Sequence, residues 1–314
     1  MCVTIFSIAI FIFSMIVLPF ATLGDQTHYR LFYGELPTYS FAEGFRFYGN
    51  ALGTREWGYY ILVYLFSGWC DKDILMSFIN ALLGFMLSRC ILLLGASKFL
   101  LCMICFNFYF LVLLFSAERL KLGVLFCLLD FSSQGCKGFI YWVMALLSHA
   151  QTLILLVISA LSKMAADAVF MFQGRLKYGF LISVALSIVF VVIIVTALGD
   201  HITAKFDAYS GPEGIFAGGW QALWKPTIFL VGSAFYAKQK RYEAVIANIS
   251  LLVAAFFVGD ERLVMFSYFI FMYYAVQVNK GLNVGVLMSS FYLLVKGVFF
   301  LSNIVAYGDG FYGG

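Results

Sequence analysis

The sequence predicts an all-α protein built as a polytopic transmembrane helical bundle, and two observations support this fold class. Of the 314 residues, 63% are hydrophobic and 11% are charged, whereas charged residues make up about a quarter of a typical soluble domain. Apolar runs of about 20 residues, the length that an α-helix needs to cross a bilayer, recur to the C-terminus. We therefore expect a single integral membrane domain over residues 1–314, with about 9–11 spans that include short or re-entrant helices.

Composition and motifs exclude several classes of function. The net charge is +4 and no long basic stretch is present, so nucleic acid is not an expected partner. The chain lacks the glycine-rich nucleotide loops and the HExxH zinc motif. Its seven cysteines are scattered, and the C-x-x-C of Cys102 and Cys105 has no second pair, which is weak as a metal or redox signal. We expect neither a cofactor nor a metal.

The charges of the polar segments predict the topology. Residues 22–56 carry three basic and four acidic residues, and residues 200–222 carry one basic and three acidic residues. Residues 163–177 and 238–243 each carry three basic residues against one acidic residue. Because cytoplasmic loops are enriched in Lys and Arg, we expect the two acidic segments to be outer loops and the two basic segments to lie inside.

Apolar runs between these segments give the expected helices. We expect Val3–Ala21 to be a retained first span, since it lacks the basic start and the small-residue cleavage site of a signal peptide. The other expected helices are Trp57–Cys70, Ile74–Leu94, Phe99–Ala117, Leu120–Phe131, Tyr178–Leu198, Leu223–Ala237, Ala244–Val258, Leu263–Val278 and Val284–Ser302. Of these, we expect Trp57–Cys70 to be re-entrant or interfacial, and Leu120–Phe131 is short for a span.

One apolar run is predicted to break. Lys137 and Lys163 are both expected on the cytoplasmic side, yet only Phe139–Leu161 lies between them. An even number of crossings is required, so this run should turn back, with Ser148 and His149 near the turn. Broken helices at membrane depth occur where protein or a wet cavity surrounds them.

Three ionisable residues interrupt apolar runs and are functional candidates: Glu118, Arg119 and His149. Two structural alternatives stay open. The Glu118-Arg119 pair is also compatible with an ion pair at a helix end among the lipid headgroups. A lone His in an apolar helix is also compatible with a hydrogen bond between helices.

The topology places Glu56, Arg119 and His149 around one outward-facing cavity, with Asp25 and Arg262 on the same side. Arginine presents planar donors that suit phosphate, so Arg119 and Arg262 are the expected ligands of a lipid-linked diphosphate. A sugar hydroxyl would need a group that accepts its proton, and the candidate catalytic residues are His149, Asp25 and Glu56. Tyr29, Glu118 and Tyr209 are the expected substrate-binding residues.

The order of these elements resembles a known family. It runs GDQTHY with Asp25 and Tyr29, REWGYY with Glu56, the ER pair with Arg119, LLSHAQTL with His149, a loop with Tyr209, and DERLVMFSY with Arg262. This order is similar to the EpsG-like branch of the Wzy-type bacterial polysaccharide (O-antigen) polymerases.

The resemblance implies a GT-C-like glycosyltransferase of the bacterial inner membrane. Such an enzyme joins undecaprenyl-diphosphate-linked oligosaccharide repeat units on the periplasmic face, and its expected functional partners are a flippase and a chain-length regulator. Two other functions stay open. A lipid-linked oligosaccharide flippase or transporter would be expected to show two related halves, and no internal repeat is visible. A surface-glycan ligase or acyltransferase shares the expected architecture.

The charge asymmetry of the loops predicts the result of reporter fusions. Reporters fused after Asp25 and after Tyr209 should report the periplasm, and one fused after Arg241 should report the cytoplasm. Paired alkaline phosphatase and green fluorescent protein fusions at each position give this measurement. A cytoplasmic signal from either of the first two fusions would place the candidate residues on both sides of the membrane and contradict the proposed site.

Overall fold

The computed structural model describes residues 1–133, 137–155, 157–159, 220–258 and 261–312. The chain divides into two compact units, Met1–Thr152 with Lys280–Gly314, and Leu153–Asn279. The described residues form helices and short 3-10 turns, and no strand occurs among them. The all-α prediction is confirmed for this part of the chain, whereas the single-domain organisation stays a prediction.

Most of the α-helices follow the expected apolar runs, but the expected helix Phe99–Ala117 is divided into Lys98–Cys105 and Phe108–Phe115. In chain order the α-helices are α1 (Cys2–Val17), α2 (Asp25–Glu35), α3 (Phe41–Leu52), α4 (Trp57–Phe66), α5 (Lys72–Leu93), α6 (Lys98–Cys105), α7 (Phe108–Phe115), α8 (Glu118–Ser132), α9 (Lys137–Ser148), α10 (Trp224–Tyr236), α11 (Arg241–Val258), α12 (Glu261–Ala275) and α13 (Val284–Tyr307). The first unit contains α1–α9 and α13, and the second contains α10–α12.

Some of these helices are long and apolar enough to cross a membrane. Within the described residues they are Cys2–Phe20, Lys72–Leu93 and Asn279–Tyr307, and the pair α6 and α7 adds a fourth if it forms one bent span. The Trp57–Phe66 helix has only ten residues, as expected for a helix that does not cross. The chain therefore has the helices of a membrane protein, and the larger number of spans stays a prediction.

The expected outer loop over residues 22–56 is largely helical, because it contains α2 and α3. Asp25 lies in the first turn of α2, where the helix dipole favours a negative charge. Ser40 and Glu43 form a capping box at the start of α3, which ends at Gly53 with a left-handed φ of 62°. Several polar residues that indicate a loop in the sequence are thus the caps of short helices.

Helices α1 and α5 pack closely in the first unit. Ser7 Oγ donates a hydrogen bond of 2.8 Å to the carbonyl oxygen of Ala81. Gly84 allows close approach, since a Cβ at this position would lie 3.1 Å from Cγ1 of Ile10. Small and hydroxyl residues commonly permit such contacts between membrane helices.

The predicted break near Ser148 is confirmed. Helix α9 ends at Ser148, residues 149–151 form a turn, and helical structure begins again at Thr152. Two glycines allow this turn to approach its neighbours. A Cβ on Gly58 of α4 would lie 2.6 Å from Ser148 Oγ, and one on Gly123 of α8 would overlap Cγ2 of Thr152. The turn therefore packs against α4, which follows Glu56, and against α8, which contains Arg119.

The second unit contains α10, α11 and α12, which correspond to the spans expected at Leu223–Ala237, Ala244–Val258 and Leu263–Val278. Ala237, Ala244 and Tyr274 form its buried apolar cluster. Lys225 at the start of α10 forms an ion pair of 3.0 Å with Glu261 at the start of α12. The span expected at Tyr178–Leu198 lies outside the described residues.

The close contact at Gly123 predicts a size-dependent loss of stability. We expect Gly123→Ala to lower the melting temperature in detergent by several degrees, because the added methyl group meets the fully buried Thr152. Adding Thr152→Ser should restore much of the loss, because serine keeps the hydroxyl and removes Cγ2. Gly34→Ala on α2 is the matched control, since a Cβ there meets nothing within 4 Å. Equal melting temperatures for Gly123→Ala and the wild type would contradict the close packing.

Candidate functional site

The carboxylate of Glu56 lies at the centre of the candidate site. Glu56 is the N-cap of α4, and its side chain is 7% exposed. Oε2 accepts a hydrogen bond of 3.0 Å from Nη1 of Arg119, and Oε1 lies 2.7 Å from Nδ1 of His149 and 3.1 Å from the backbone nitrogen of Ala150. Three separate chain segments therefore meet on one carboxylate, which together with Arg119, His149 and Tyr29 forms the Glu56 cluster.

The surroundings of Glu56 favour its ionised form. Burial raises the pKa of this carboxyl, but the charges and hydrogen bonds of His149 and Arg119, with the Ala150 N–H, outweigh burial and hold the pKa well below its usual range. An ionised carboxylate can only accept hydrogen bonds. Nδ1 of His149 must therefore carry a proton and donate it toward Glu56.

Arg119 is held on two sides. Besides its bond to Glu56, its Nε donates a hydrogen bond of 3.0 Å to the hydroxyl of Tyr29, and the guanidinium carbon lies 5.9 Å from the centre of the Tyr29 ring. The Arg119 side chain is 15% exposed, more than the side chains of Glu56, His149, Lys72 and Glu118. These two bonds use two of the five N–H groups of the guanidinium.

His149 owes its position to the helix break. The imidazole is 2% exposed, and Nε2 lies 3.2 Å from Oε1 of Gln151, two residues further along the turn. The carbonyl oxygen of His149 accepts a hydrogen bond from Thr152 Oγ1, which also bonds the Ala145 carbonyl oxygen. The turn thus fixes both the backbone and the ring of His149.

Glu118 belongs to a second, fully buried group of polar side chains. Its carboxylate accepts hydrogen bonds of 2.6 Å from Lys72 Nζ and 2.7 Å from the Tyr59 hydroxyl, and Lys72 also donates 2.8 Å to Oε1 of Gln26. Glu118, Lys72, Tyr59 and Gln26 form the Glu118 cluster. The Tyr29 and Tyr59 rings, with centroids 5.6 Å apart, connect the two clusters.

A third polar group lies beside the Glu118 cluster. Lys121 Nζ donates hydrogen bonds of 2.8 Å to Asn80 Oδ1 and to the Leu114 carbonyl oxygen, and Asn80 donates 3.1 Å to Ser14 Oγ. Neither Lys72 nor Lys121 is among the candidate residues predicted from the sequence. Lys121 meets the same criterion that selects Arg119, an ionisable residue within an apolar run. Lys72 resembles a lysine at the border of a span.

The predicted site residues fall into three groups. Direct contacts bring Glu56, Arg119, His149 and Tyr29 together in the first unit, and Glu118 lies in the neighbouring cluster, connected through the Tyr59 and Tyr29 rings. Asp25 is exposed at the start of α2, one helical turn before Tyr29. Arg262 is the second residue of α12 in the second unit, so its proximity to Arg119 stays a prediction, and Tyr209 lies outside the described residues.

Chemically, the Glu56 cluster combines a histidine oriented by a carboxylate with a partly exposed guanidinium. The first arrangement suits proton transfer, and the second suits an anionic oxygen. Among the described residues, no group of three or more His, Cys, Asp and Glu side chains could hold a metal ion. That the protein needs no metal stays a prediction.

Comparison with family models, curated proteins and solved structures gives no match for this chain. Membership of the polymerase family therefore stays a prediction.

Because the Lys72–Glu118 pair is buried, removing one partner is predicted to cause a large loss of folding stability. We expect Glu118→Gln to lower the free energy of unfolding by about 3–5 kcal/mol, because it leaves a buried ammonium without its counter-charge. Adding Lys72→Met should recover part of this loss. Thermal unfolding in detergent of the wild type, both single variants and the double variant measures the coupling.

The partly exposed pair of Arg30 and Asp73 is the matched control for that experiment. Asp73→Asn should cost about 0–1 kcal/mol, because Arg30 keeps its bonds to the carbonyl oxygens of Leu18 and Ala21. Equal costs for Glu118→Gln and Asp73→Asn would show that the Lys72–Glu118 pair is not desolvated in the folded protein.

Proposed function

We propose that the protein is an O-antigen or exopolysaccharide polymerase, a glycosyltransferase that joins undecaprenyl-diphosphate-linked oligosaccharide repeat units. Its proposed place is the periplasmic side of a bacterial inner membrane, in a GT-C-like bundle of about 9–11 spans. The observation that carries the proposal is the Glu56 cluster, in which one buried carboxylate holds a candidate base and a candidate diphosphate ligand side by side.

His149 is the proposed general base. Glu56 binds the protonated Nδ1, so neutral His149 has Nε2 as its proton acceptor. This arrangement of a nucleophile, a base and a carboxylate that orients the base recurs in enzymes of many folds. Glu56 itself is less suited to be the base, because three donors already bind its carboxylate. Asp25, exposed on α2, is the second choice.

Arg119 is the proposed ligand of the diphosphate. Glu56 and Tyr29 fix the plane of its guanidinium, and its remaining N–H groups can bind phosphate oxygens. A lipid diphosphate is an activated leaving group, which accords with a chain that has no nucleotide-binding motif. Arg262 is proposed to contribute a second guanidinium, and Tyr29 and Tyr209 are proposed to support the substrate. The substrate contact expected of Glu118 is not part of this proposal, because its side chain is fully buried in the ion pair with Lys72.

The proposed step transfers the growing glycan between two lipid-linked molecules. The acceptor hydroxyl forms a bond to the anomeric carbon of the donor, and its proton moves to Nε2 of His149. The bond from that carbon to the diphosphate breaks, and the diphosphate leaves with the electron pair while Arg119 compensates its charge. The imidazolium then releases its proton to restore the base.

The test of this function is His149→Gln, which keeps a hydrogen-bonding side chain but removes the base. In a strain that depends on this protein for polymer, we expect normal membrane levels of the variant, with long polymer reduced at least about 100-fold and single repeat units left on the lipid carrier. Gel analysis of lipid-linked glycans and immunoblots of membranes measure both quantities.

His28→Gln on the exposed face of α2 is the matched control, and it should leave polymer unchanged. Long polymer in the His149→Gln strain would remove His149 from catalysis and favour Asp25. A deletion strain that keeps its repeat units on the cytoplasmic face would contradict the polymerase proposal and favour a flippase. Polymer of normal length that is not attached to its surface anchor would favour a ligase.

A further inference from the structure

The side chain of Gln151 faces the nitrogen of His149 that the proposed reaction uses. Oε1 of Gln151 lies 3.2 Å from Nε2 of His149, within the three-residue turn between α9 and the helix that begins at Thr152. The Gln151 side chain is partly buried, and His149 is 2% exposed. An acceptor hydroxyl that gives its proton to Nε2 must therefore approach the place that the Gln151 amide holds.

The other nitrogen of the ring is already assigned. Glu56 accepts hydrogen bonds from Arg119 and Ala150 in addition to its contact of 2.7 Å with Nδ1. A carboxylate with these donors is ionised and requires a hydrogen on Nδ1. Changes in the protonation of His149 therefore take place at Nε2, where Gln151 lies.

A primary amide can bond Nε2 in both protonation states of the ring. When Nε2 carries a proton, it donates to Oε1 of Gln151, as the observed orientation allows. When Nε2 is bare, two acceptors would face each other, and a half-turn of the amide presents its NH2 group as a donor instead. A carboxylate in this place would stabilise only the imidazolium, and a thioether would serve neither state well.

We propose that Gln151 is a positioning residue that keeps Nε2 of His149 hydrogen-bonded between reaction cycles and reverses its amide when the ring gains or loses its proton. The inference rests on the proposed function, in which His149 is the base. The acceptor hydroxyl displaces the amide from the neutral ring. After transfer of the glycan, Oε1 binds the new N–H until the proton leaves.

The charged groups around His149 are the same in every variant of the test below. Glu56 at the start of α4 binds Nδ1, and Arg119 of α8 binds the other oxygen of that carboxylate. Their contribution to the pKa of His149 is common to all variants. Differences between variants at position 151 then report the contact at Nε2.

The experiment is a pH titration by nitrogen-15 NMR of the full chain in lipid nanodiscs, with labelled histidine. The chain has three histidines, and the signals of His149 are those missing from His149→Gln. We expect the pKa of His149 to rise by at least about one pH unit in Gln151→Glu, because a carboxylate contacts the imidazolium. In Gln151→Met we expect it to fall, because the charge-assisted hydrogen bond that the imidazolium loses is stronger than the bond that the neutral ring loses.

The order of pKa values, Glu above Gln above Met, supports the proposal, and equal values in the three proteins would overturn it. If Gln151→Glu does not accumulate in membranes, the fall in Gln151→Met decides alone. Polymer formation measured against pH gives a separate readout, in which the acidic limb of the profile should move with the pKa of His149. If the pKa values follow this order but the acidic limb does not move, the contact between Gln151 and Nε2 is supported and the role of His149 as base is contradicted. If the pKa values are equal and polymer formation is normal, only the role of Gln151 is contradicted.

Discussion

The buried carboxylate of Glu56 is the interaction on which the arrangement of the site depends. Removing a charge from water costs several kcal/mol unless its hydrogen-bonding capacity is filled. Arg119, His149 and the Ala150 N–H fill it, and each belongs to a different part of the first unit from Glu56. The Glu56 carboxylate therefore holds the turn at residues 149–151 close to α4 and α8. The small size of Gly58 and Gly123 makes this close packing possible.

The sequence predicts best those features that avoid the free-energy cost of an unpaired charge in an apolar run. Ionisable residues in apolar runs need partners, and this rule selected Glu118, Arg119 and His149, which are all bonded in the structure. The even number of crossings predicted the break at Ser148. The predicted topology groups Glu56, Arg119 and His149 around one cavity, and the structure brings these three side chains into direct contact. The sequence does not predict that Glu56 binds the other two, because no spacing rule connects residues so far apart. Lys72 was overlooked because a lysine beside a span usually marks the membrane border.

The bend between α6 and α7 shows another limit of hydropathy. Phe99–Ala117 is nearly continuous in apolar character and is predicted to be one helix, yet α6 and α7 meet at an angle of 57°. Asn107 lies at the break, and its side-chain oxygen accepts hydrogen bonds from the backbone nitrogens of Tyr109 and Phe110 as an N-cap. A single capping residue changes hydropathy little, although it determines where a helix begins.

Glu118 and Arg119 are neighbours in sequence, but their side chains enter different environments. Glu118 is fully buried with Lys72, whereas Arg119 is 15% exposed beside Glu56 and Tyr29. Successive helical residues point about 100° apart, so one can complete a buried ion pair while the next faces a different group. A fully buried ion pair has no donor to offer a substrate without a large desolvation change, whereas a partly exposed guanidinium has donors that a phosphate can reach. The division of these two adjacent charges is the reason to propose substrate contact for Arg119 and support of the fold for Glu118.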